Sequence, residues 1–585
     1  MTTQRLEWQS LLPDIAPYEA LFASAARQTP ADFAAIQPRL ENGLALFCQL
    51  QPRLRFMLIK AEEHDEYLSL ISRAAQALQT QPSDIAGGDY LIQDESITWQ
   101  PAPHGNGRFA ARSGCLYREW VEPEQLFGCV RVHRGKITLQ PGLVHIANGG
   151  ILILPVRTLL AQPFMWLRLK QMVMQKCFEW LAPDESRPLP LEIPAIPLAL
   201  QLILVGDRLS LADFHSMEPM MGELASYGEF ETELPLVDDN SVSLWCAYIN
   251  LLVQQRKLPE LAADAWPVLL KQAMRYSGDQ GNLPLCPRWI IGQLSEAAFY
   301  AGNNLITANA LEVASESRDW RHGYLAERMQ DEMEQGQVLI ETEGSVVGQI
   351  NGLSVLEYPG HPQAFGEPIR ISCAVHPGDG EFIDVERKAE LAGNIHAKGM
   401  MIMQAFLLSE LQLEQQQPFS ASVVFEQSYG AIDGDSASLA ELCVLISALS
   451  LQPIRQHIAV TGSVDQFGNV QPVGGLNEKI EGFFKVCQRR GLTGTQGVIL
   501  PGTNVRHLCL HQAVVQAVQN NQFHLWAVDN VAEALPLLTG LIWADEQQPF
   551  CLLGIIQERI THANTQGKRR ASWPLCWWLN WFRQR

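Results

Sequence analysis

Short runs of consecutive apolar residues alternate with helical stretches over the first 330 residues of the chain. Three of these runs are Phe56-Met-Leu-Ile59, Ile151-Leu-Ile-Leu154 and Leu202-Ile-Leu-Val205. Apolar runs of this length, separated by helical segments, are typical of strands buried on both faces of a parallel sheet. The pattern therefore predicts an α/β layer with a parallel sheet. Residues 258–335 keep a helical apolar period without strand-like runs, which predicts a mainly helical segment.

The hydrophobic pattern changes near residue 345. Glycine-rich turns and alternating stretches such as Ile369-Arg-Ile-Ser-Cys-Ala-Val375 predict β-hairpins. A helix is expected at about 400–410 and a strand at Ser422-Val-Val-Phe425, after which helices and strands alternate to about residue 540. This part of the chain is therefore expected to form a second domain of the α+β or α/β class.

Composition and charge exclude several classes of protein. The 585 residues include 43 Lys and Arg against 63 Asp and Glu, a net charge of −20, so no nucleic-acid partner is expected. The apolar fraction of 47% excludes wholesale disorder. No Cys-x-x-Cys pair occurs among the 12 cysteines, which argues against a zinc ribbon. The start of the chain does not resemble a signal peptide, and a cytoplasmic location is expected.

Ser436 is the first candidate for chemistry. It ends the loop Asp433-Gly-Asp-Ser436 and precedes a segment with apolar residues at helical spacing. Unpaired backbone N–H groups at the start of a helix can bind an oxyanion, and the helix dipole favours negative charge there. Serine is also a common N-cap and Asp-Gly is ordinary turn chemistry, so this motif alone leaves both readings open.

Lys479 is the second candidate. It lies in the predicted first turn of a helix, after a hairpin that begins at Thr461-Gly462 and a turn at Gly474-Gly475. A cation is unfavourable at this end of a helix. If the lysine were partly buried it would lose its proton more readily, and the neutral amine could activate a serine. The alternative is a solvated lysine paired with Glu478 or Glu481.

Taken together, the two segments resemble the peptidase domain of the Lon protease family, which uses a Ser-Lys dyad. Gly474-Gly-Leu-Asn-Glu-Lys479 matches the family motif Gly-Gly-Leu-x-Glu-Lys, and the resemblance covers about residues 340 to 540. It implies that Ser436 is the nucleophile, that Lys479 is the general base, and that the hydroxyl of Thr461 helps to hold the lysine amine.

The nucleophile motif departs from the commonest family pattern. Asp435 stands where a proline is usual, although Gly434-Asp-Ser-Ala-Ser438 is similar to the archaeal-type branch. Asp433, Gly434 and Asp435 are expected to support the nucleophile. A carboxylate at Asp435 would oppose a forming oxyanion unless it turned away, and this puts the turnover rate in question.

Family members usually couple the peptidase to an AAA+ ATPase, yet the nucleotide-binding residues are missing. A P-loop needs Gly-x4-Gly-Lys-Ser/Thr, and neither Gly135-Lys136 nor Gly567-Lys568 fits. Pro155 stands where the Mg²⁺-binding acid of an AAA+ strand is expected. We therefore expect a degenerate AAA+-like domain, with an unrelated α/β domain as the alternative. No cofactor is required for the dyad, and the sequence gives no support for ATP or Mg²⁺ use.

The expected fold class is α/β and α+β, in four parts. Residues 1–255 form the AAA+-like α/β domain, 256–340 a helical subdomain and linker, 341–540 the Lon-type proteolytic domain, and 541–585 a C-terminal extension. The extension ends in a basic, tryptophan-rich tail from Lys568, which could contact a membrane surface, pack on the protein or be disordered. The family resemblance implies a homo-oligomeric ring, expected to be a hexamer.

The expected function is that of a serine endopeptidase that cleaves unfolded or damaged proteins. The alternative is a catalytically weak or inactive homologue that binds or regulates other proteins. A nucleotide-dependent ATPase is disfavoured by the acidic charge and the missing phosphate-binding residues. His507 and His511 stand four residues apart, but no third ligand accompanies them and no metal site is expected.

Overall fold

The computed structural model describes most of the chain in two compact units. The described residues are 4–49, 54–79, 87–93, 96–102, 107–109, 114–182, 188–302, 304–412, 418–428, 432–545 and 550–564. The larger unit consists of Met1–Phe22, Asp264–Leu283 and Thr307–Arg585, and the smaller of Ala23–Ala263 and Pro284–Ile306. The tail from Lys568 lies outside the described residues.

The smaller unit is built on a parallel sheet of five strands. In spatial order these are Ala225–Glu229, Phe56–Lys60, Gln201–Gly206, Ile151–Pro155 and Cys115–Tyr117. Every residue of Ile151–Pro155 and Gln201–Gly206 is buried, as expected for central strands covered on both faces. The parallel sheet predicted from the three apolar runs is confirmed, since each run lies within one of these strands.

Helices, two hairpins and a short antiparallel pair, Cys177–Phe178 with Ile196–Pro197, accompany this sheet in the described part of the smaller unit. The longer helices are Pro38–Gln49, Asp65–Leu78, Pro163–Gln175, Arg208–Met217, Asp239–Arg256 and Pro287–Tyr300. The short ones are Phe33–Ile36, Pro123–Phe127, Leu143–Ile146, Val156–Ala161 and Met221–Leu224. The hairpins pair Gly88–Gln93 with Ser96–Pro101 and Cys129–His133 with Lys136–Gln140.

The larger unit is built on a mixed sheet of eight strands. Their spatial order is Gln4–Arg5, His524–Val528, Gly497–Pro501, Ile458–Val460, Gln349–Leu356, Phe365–Pro377, Phe419–Phe425 and Phe382–Asp384. The four from His524–Val528 to Gln349–Leu356 run parallel, and Phe365–Pro377 is antiparallel to both of its neighbours. The predicted hairpin region thus forms one half of a single sheet.

The helices of the larger unit cover both faces of this sheet. They are Ala265–Ser277, Ala308–His322, Tyr324–Glu334, Val385–Lys388, Asn394–Leu411, Ser438–Ser450, Leu476–Arg490, Gln512–Gln519 and Val531–Thr539, with a further helix at 552–564. Short 3₁₀ segments form at Trp8–Leu11 and Gly502–His507. No helix within the described residues is long and apolar enough to span a bilayer.

Two of these helices position the candidate residues. Ser438–Ser450, here called the serine helix, is buried along its whole length and belongs to the core that contains Ile350 and Val460. Leu476–Arg490, here called the lysine helix, packs on the core that contains Leu353 and Ala459. Because alternate residues of a strand point to opposite faces, the two helices lie on opposite faces of the sheet.

Residues of the predicted helical subdomain, 256–340, are divided between the two units. Asp264–Leu283 and the residues from Thr307 onward group with the larger unit, whereas Pro284–Ile306 groups with the smaller one. The segment Asp264–Leu283 is tied to the larger unit because Arg275, in helix Ala265–Ser277, donates hydrogen bonds to Glu481 in the lysine helix. The predicted boundaries at 255, 340 and 540 stay predictions.

Candidate active site

The loop that carries Ser436 is tied to a neighbouring helix through Asp433. The Asp433 Oδ1 atom accepts hydrogen bonds from the backbone N–H of Ile395, at 3.1 Å, and of Gly434, at 3.0 Å. Asp433 thereby binds an N–H group in the first turn of helix Asn394–Leu411, where a carboxylate is also favoured by the helix dipole. Asp433 thus anchors the loop to this helix, and its role in supporting the nucleophile stays a prediction.

Gly434 and Asp435 shape the last turn before the serine. Gly434 has φ +129°, a conformation that a residue with a side chain rarely adopts. The Asp435 carbonyl accepts the N–H of Ser438, at 3.0 Å, where the serine helix begins. Ser436 thus lies two residues before the helix rather than at its first residue. Within the described residues, no hydrogen bond uses the backbone N–H of Asp435 or Ser436.

Lys479 is held on a buried helix and reaches the serine. Its side chain is 3% exposed, and its Nζ atom lies 2.9 Å from the Oγ atom of Ser436. The lysine helix begins after Gly475, which has φ +62°, and a Cβ atom there would lie 2.4 Å from Val355. The structure therefore brings together the two residues that the sequence singled out, 43 positions apart.

Thr461 and Gly462 complete the surroundings of the dyad. The Thr461 Oγ1 atom lies 3.4 Å from Lys479 Nζ and donates to the Ser436 carbonyl oxygen at 3.4 Å. The same carbonyl accepts the N–H of Gly462 at 2.9 Å. Thr461 is fully buried, so its hydroxyl links the serine backbone to the lysine amine out of contact with water.

Burial changes the protonation of the lysine. Removal from water lowers the pKa of Lys479 to about 8, and the nearby charge of Asp435 acts in the opposite direction. About half of the lysine is therefore neutral near pH 8, which an exposed lysine would not be. Asp435 is close enough for its charge to favour the ammonium form of Lys479, although it is not among the described residues that line the cleft beside the dyad.

A close crossing of backbones, missed by the sequence analysis, sets the position of the lysine helix. A Cβ atom on Gly366 would lie 2.0 Å from the Glu478 carbonyl oxygen, and one on Gly482 would lie 2.1 Å from the Gly366 carbonyl oxygen. Strand Phe365–Pro377 can therefore touch the lysine helix only because both positions lack a side chain. Gly482, a glycine inside an otherwise helical segment, was the sequence signal that could have indicated this close contact.

An ion pair behind the lysine helix was also missed. Arg275 donates to both carboxylate oxygens of Glu481, at 2.7 and 2.8 Å, and also to the Cys509 carbonyl oxygen at 2.7 Å. Burial alone would raise the pKa of Glu481, but the charge and hydrogen bonds of Arg275 hold it below its usual range. Glu481 is thus paired with Arg275, and the alternative pairing of Lys479 with Glu481 is not used.

The dyad opens into a cleft of about 510 Å³. Its apolar lining includes Leu356, Ile369 and Phe425 from the strands of the sheet and Ile432 from the loop before the serine. Ser436, Lys479 and the turn Gly474-Gly475 lie on the same cleft. Apolar side chains around a few converging polar groups are typical of a binding site.

The two histidines considered as metal ligands do not share a helix. His507 ends the 3₁₀ segment Gly502–His507, whereas His511 precedes helix Gln512–Gln519 and faces Glu481 at 3.4 Å. Within the described ranges, no group of three or more His, Cys, Asp or Glu side chains is arranged to hold a metal ion.

Two protein families match parts of the chain. A family described as "LonB-like, AAA domain" matches residues 120–225, and one described as "Lon protease (S16) C-terminal proteolytic domain" matches residues 335–539. The first match includes strands Ile151–Pro155 and Gln201–Gly206 of the parallel sheet. The second spans Ser436, Thr461 and Lys479.

The chain is also similar to whole proteins. It is 56% identical over 585 residues, covering all of both chains, to a Lon protease homolog of Escherichia coli (strain K12). It is 41% identical over 583 residues, 97% of this chain and 96% of the relative, to a Lon protease homolog of Haemophilus influenzae. An archaeal Lon protease of Pyrococcus abyssi is 25% identical over 64% of this chain and 36% of its own. With full-length identity of this order, the chain belongs to the Lon protease family.

Proposed function

We propose that this protein is a serine endopeptidase in which Lys479 activates Ser436 for attack on a peptide bond. The observation that carries the proposal is the 2.9 Å distance between Lys479 Nζ and Ser436 Oγ, with the amine buried and the serine on an open cleft. A nucleophile within hydrogen-bond reach of a base whose pKa is near the working pH is the arrangement that acyl transfer needs.

The acylation step follows from this arrangement. The neutral Lys479 amine accepts the Ser436 hydroxyl proton while Oγ bonds to the scissile carbonyl carbon, giving a tetrahedral oxyanion. The oxyanion lies near the backbone N–H groups of Asp435 and Ser436, ahead of the serine helix. When the carbon–nitrogen bond breaks, the lysine ammonium returns its proton to the leaving amine, and an ester on Ser436 remains.

Deacylation repeats the same chemistry with water. Lys479, neutral again, accepts a proton from a water molecule that attacks the ester carbonyl. Collapse of the second tetrahedral intermediate releases the new carboxylic acid, and the proton held by Lys479 returns to Ser436 Oγ. Each peptide bond consumes one water, and the protein ends in its starting protonation state.

An extended peptide is the substrate form that the cleft accommodates. Strand Gln349–Leu356 pairs with Ile458–Val460 only through Asn351 and Gly352, so in the described residues positions 353–356 have no strand on that side. Leu353, Val355 and their neighbours line the cleft beside the dyad. A free strand edge binds an extended backbone by adding a strand, which supports unfolded segments of proteins as substrates.

Replacement of Thr461 by valine is expected to lower kcat about ten-fold or more while leaving KM almost unchanged. The valine removes the hydroxyl that links Lys479 Nζ to the Ser436 carbonyl, and loss of one buried hydrogen bond is worth about 1–3 kcal/mol. The Thr461→Ser variant keeps the hydroxyl and is the matched control. Steady-state cleavage of a quenched fluorescent peptide measures both constants, and equal kcat values for both variants would contradict a role for this hydroxyl.

Cleavage is proposed to proceed without nucleotide. Only residues 61–64 separate strand Phe56–Lys60 from helix Asp65–Leu78, too few for an eight-residue phosphate-binding loop. Glu63 in this connection forms an ion pair with Arg157, with Nε and Oε2 at 3.3 Å. The carboxyl end of the parallel sheet, where nucleotides bind in such folds, is therefore occupied by the protein's own charges.

The test of this function is the cleavage of fluorescently labelled, unfolded casein by the purified full-length protein. We expect cleavage at the same rate with and without ATP and Mg²⁺. A rate that rises several-fold with ATP would overturn the nucleotide-independent proposal. Absence of cleavage under both conditions would favour the alternative of a protein-binding homologue.

A further inference from the structure

The candidate cleft is acidic. Three carboxylates, from Glu357, Glu367 and Asp433, line it within the described residues, against the single amine of Lys479. Asp433 is already bonded to two backbone N–H groups. Lys479 is used by the dyad. The remaining negative charge in the cleft has no counterpart among the described side chains that line it, which favours a cationic ligand.

One of these carboxylates, that of Glu367, lies across a strand pair from a hydroxyl that has no partner within the described residues. Glu367 stands directly opposite Ser354 in the antiparallel pair of strands Gln349–Leu356 and Phe365–Pro377. Directly opposed residues project from the same face of a sheet. The Ser354 Oγ atom is buried and makes no hydrogen bond within the described chain. The described residues likewise provide neither a hydrogen bond nor an ion pair for the Glu367 carboxylate.

The surroundings of Glu367 lack a compensating positive charge. Burial, followed by the like charge of Glu332, raises the pKa of Glu367 to about 7. A half-buried carboxylate of this kind is costly to ionise unless a cation pairs with it. A hydroxyl and a carboxylate side by side, both without partners, match the donors of a guanidinium or an ammonium group.

We propose that Glu367, together with Ser354, forms a specificity subsite that binds a lysine or arginine side chain of the substrate. This inference rests on the proposed peptidase function, because it concerns the same cleft. Glu367 does not take part in the bond-breaking steps. It selects which peptide bonds are brought to Ser436.

The proposed subsite is close in space to the backbone of Lys479. Glu367 follows Gly366, where an added Cβ atom would lie only 2.6 Å from the backbone nitrogen of Lys479. Ser354 is one of residues 353–356, the part of strand Gln349–Leu356 whose free edge is proposed to pair with the substrate. Consecutive residues of an extended chain advance about 3.3 Å. The cationic side chain is therefore expected within a few residues of the scissile bond.

The test uses two series of quenched fluorescent peptides. In each series an arginine is moved through the three positions on either side of one cleavable bond, and the matched series carries citrulline, which has the same shape without the charge. We expect wild type to prefer arginine at one position by about ten-fold in kcat/KM, the size of one charge-assisted hydrogen bond. Glu367→Gln should reduce that ratio to about one, while Glu343→Gln, at an exposed carboxylate that is not among the cleft-lining residues, should keep it.

A pH series separates ionisation of the subsite from that of the base. The titratable groups around Glu367 are Glu332, whose charge acts on it, and Glu357 and Lys479, which line the same cleft. Since a carboxylate with a raised pKa carries less charge at lower pH, the arginine-to-citrulline ratio should grow between about pH 6 and pH 8. The Glu343→Gln variant should show the same growth, and Glu367→Gln should show none.

Binding provides a readout that does not depend on catalysis. Fluorescence anisotropy of the same peptides on the Ser436→Ala variant should show tighter binding of arginine than of citrulline, and addition of Glu367→Gln should remove the difference. Equal binding and equal cleavage of the two series at every position would overturn the subsite. A binding preference without any cleavage by wild type would support the subsite and contradict the peptidase function.

Discussion

Replacement of Ser436 by alanine is expected to abolish proteolysis, with a loss of about 10⁴-fold or more in kcat. The serine oxygen is the atom that bonds to the scissile carbonyl, and removal of a nucleophile leaves only the contributions of binding and of the oxyanion donors. The folded structure should be unchanged, because within the described residues the Ser436 side chain bonds only to Lys479. Cleavage of unfolded casein and of a quenched peptide measures the loss.

A matched control for this experiment is Ser428→Ala. Ser428 lines the same cleft but lies eight residues before the candidate nucleophile. Its replacement should leave kcat within about two-fold of wild type, and both variants should unfold at the wild-type temperature. Equal activity of wild type and the Ser436→Ala variant would contradict the assignment of the nucleophile.

Replacement of Lys479 by methionine is expected to lower kcat by about 10³-fold or more. Methionine keeps the apolar stem and fills the buried site, but it cannot accept the Ser436 proton. Lys485→Met, on the exposed side of the same helix, is the control and should keep full activity. Retention of activity in the Lys479→Met variant would show that another group removes the proton.

The pH dependence of wild type gives a second readout for the same residue. Because burial lowers the pKa of Lys479 to about 8, the neutral base becomes more abundant as pH rises. The value of kcat/KM should therefore increase about ten-fold for each pH unit below 8 and level off above it. An acid limb that is unchanged in the Lys479→Arg variant would assign the titration to a different group.

Stability should also rise with pH, but over a higher range than activity, whereas the Lys479→Met substitution should lower activity and raise stability. The pKa of Lys479 is lower in the folded protein than its usual value of 10.5, so the unfolded chain binds the extra proton between about pH 8 and pH 10.5. The cost of burying this lysine is full below pH 8 and disappears as pH rises through its unfolded pKa. At neutral pH the Lys479→Met variant should be more stable than wild type by up to about 3 kcal/mol, measured by denaturant unfolding.

The candidate dyad could be found from the sequence because each of its members lies in a local motif and the two motifs together resemble those of the Lon protease family. Asp433-Gly-Asp-Ser436 and Gly474-Gly-Leu-Asn-Glu-Lys479 combine turn residues with the start of a helix, and such patterns depend on neighbouring residues only. The parallel sheet was predictable for the same reason, since its central strands are continuous apolar runs. In both cases the local preference agrees with the tertiary environment.

The parts that escaped prediction depend on residues distant in sequence. Gly482 interrupts a helical pattern, but its contact partner Gly366 is identified only where a strand crosses the lysine helix at backbone contact. Arg275 pairs with Glu481 across 206 positions, and no local pattern links them. Glu367 is an ordinary strand carboxylate until its register opposite a buried serine is known. Pairings of this kind follow from sheet register and helix packing, which one sequence does not encode locally.

Labelling of Ser436 by a fluorophosphonate probe tests the central claim, that Lys479 activates this serine, most directly. Mass spectrometry of the labelled protein identifies the modified residue, and the rate of labelling reports the nucleophile without any substrate preference. We predict modification of Ser436 in wild type, faster at pH 8 than at pH 6, and a loss of about 10³-fold in rate in the Lys479→Met variant. Labelling of Ser436 at equal rates in wild type and Lys479→Met, or no labelling of Ser436 in wild type at any pH, would contradict the proposed dyad.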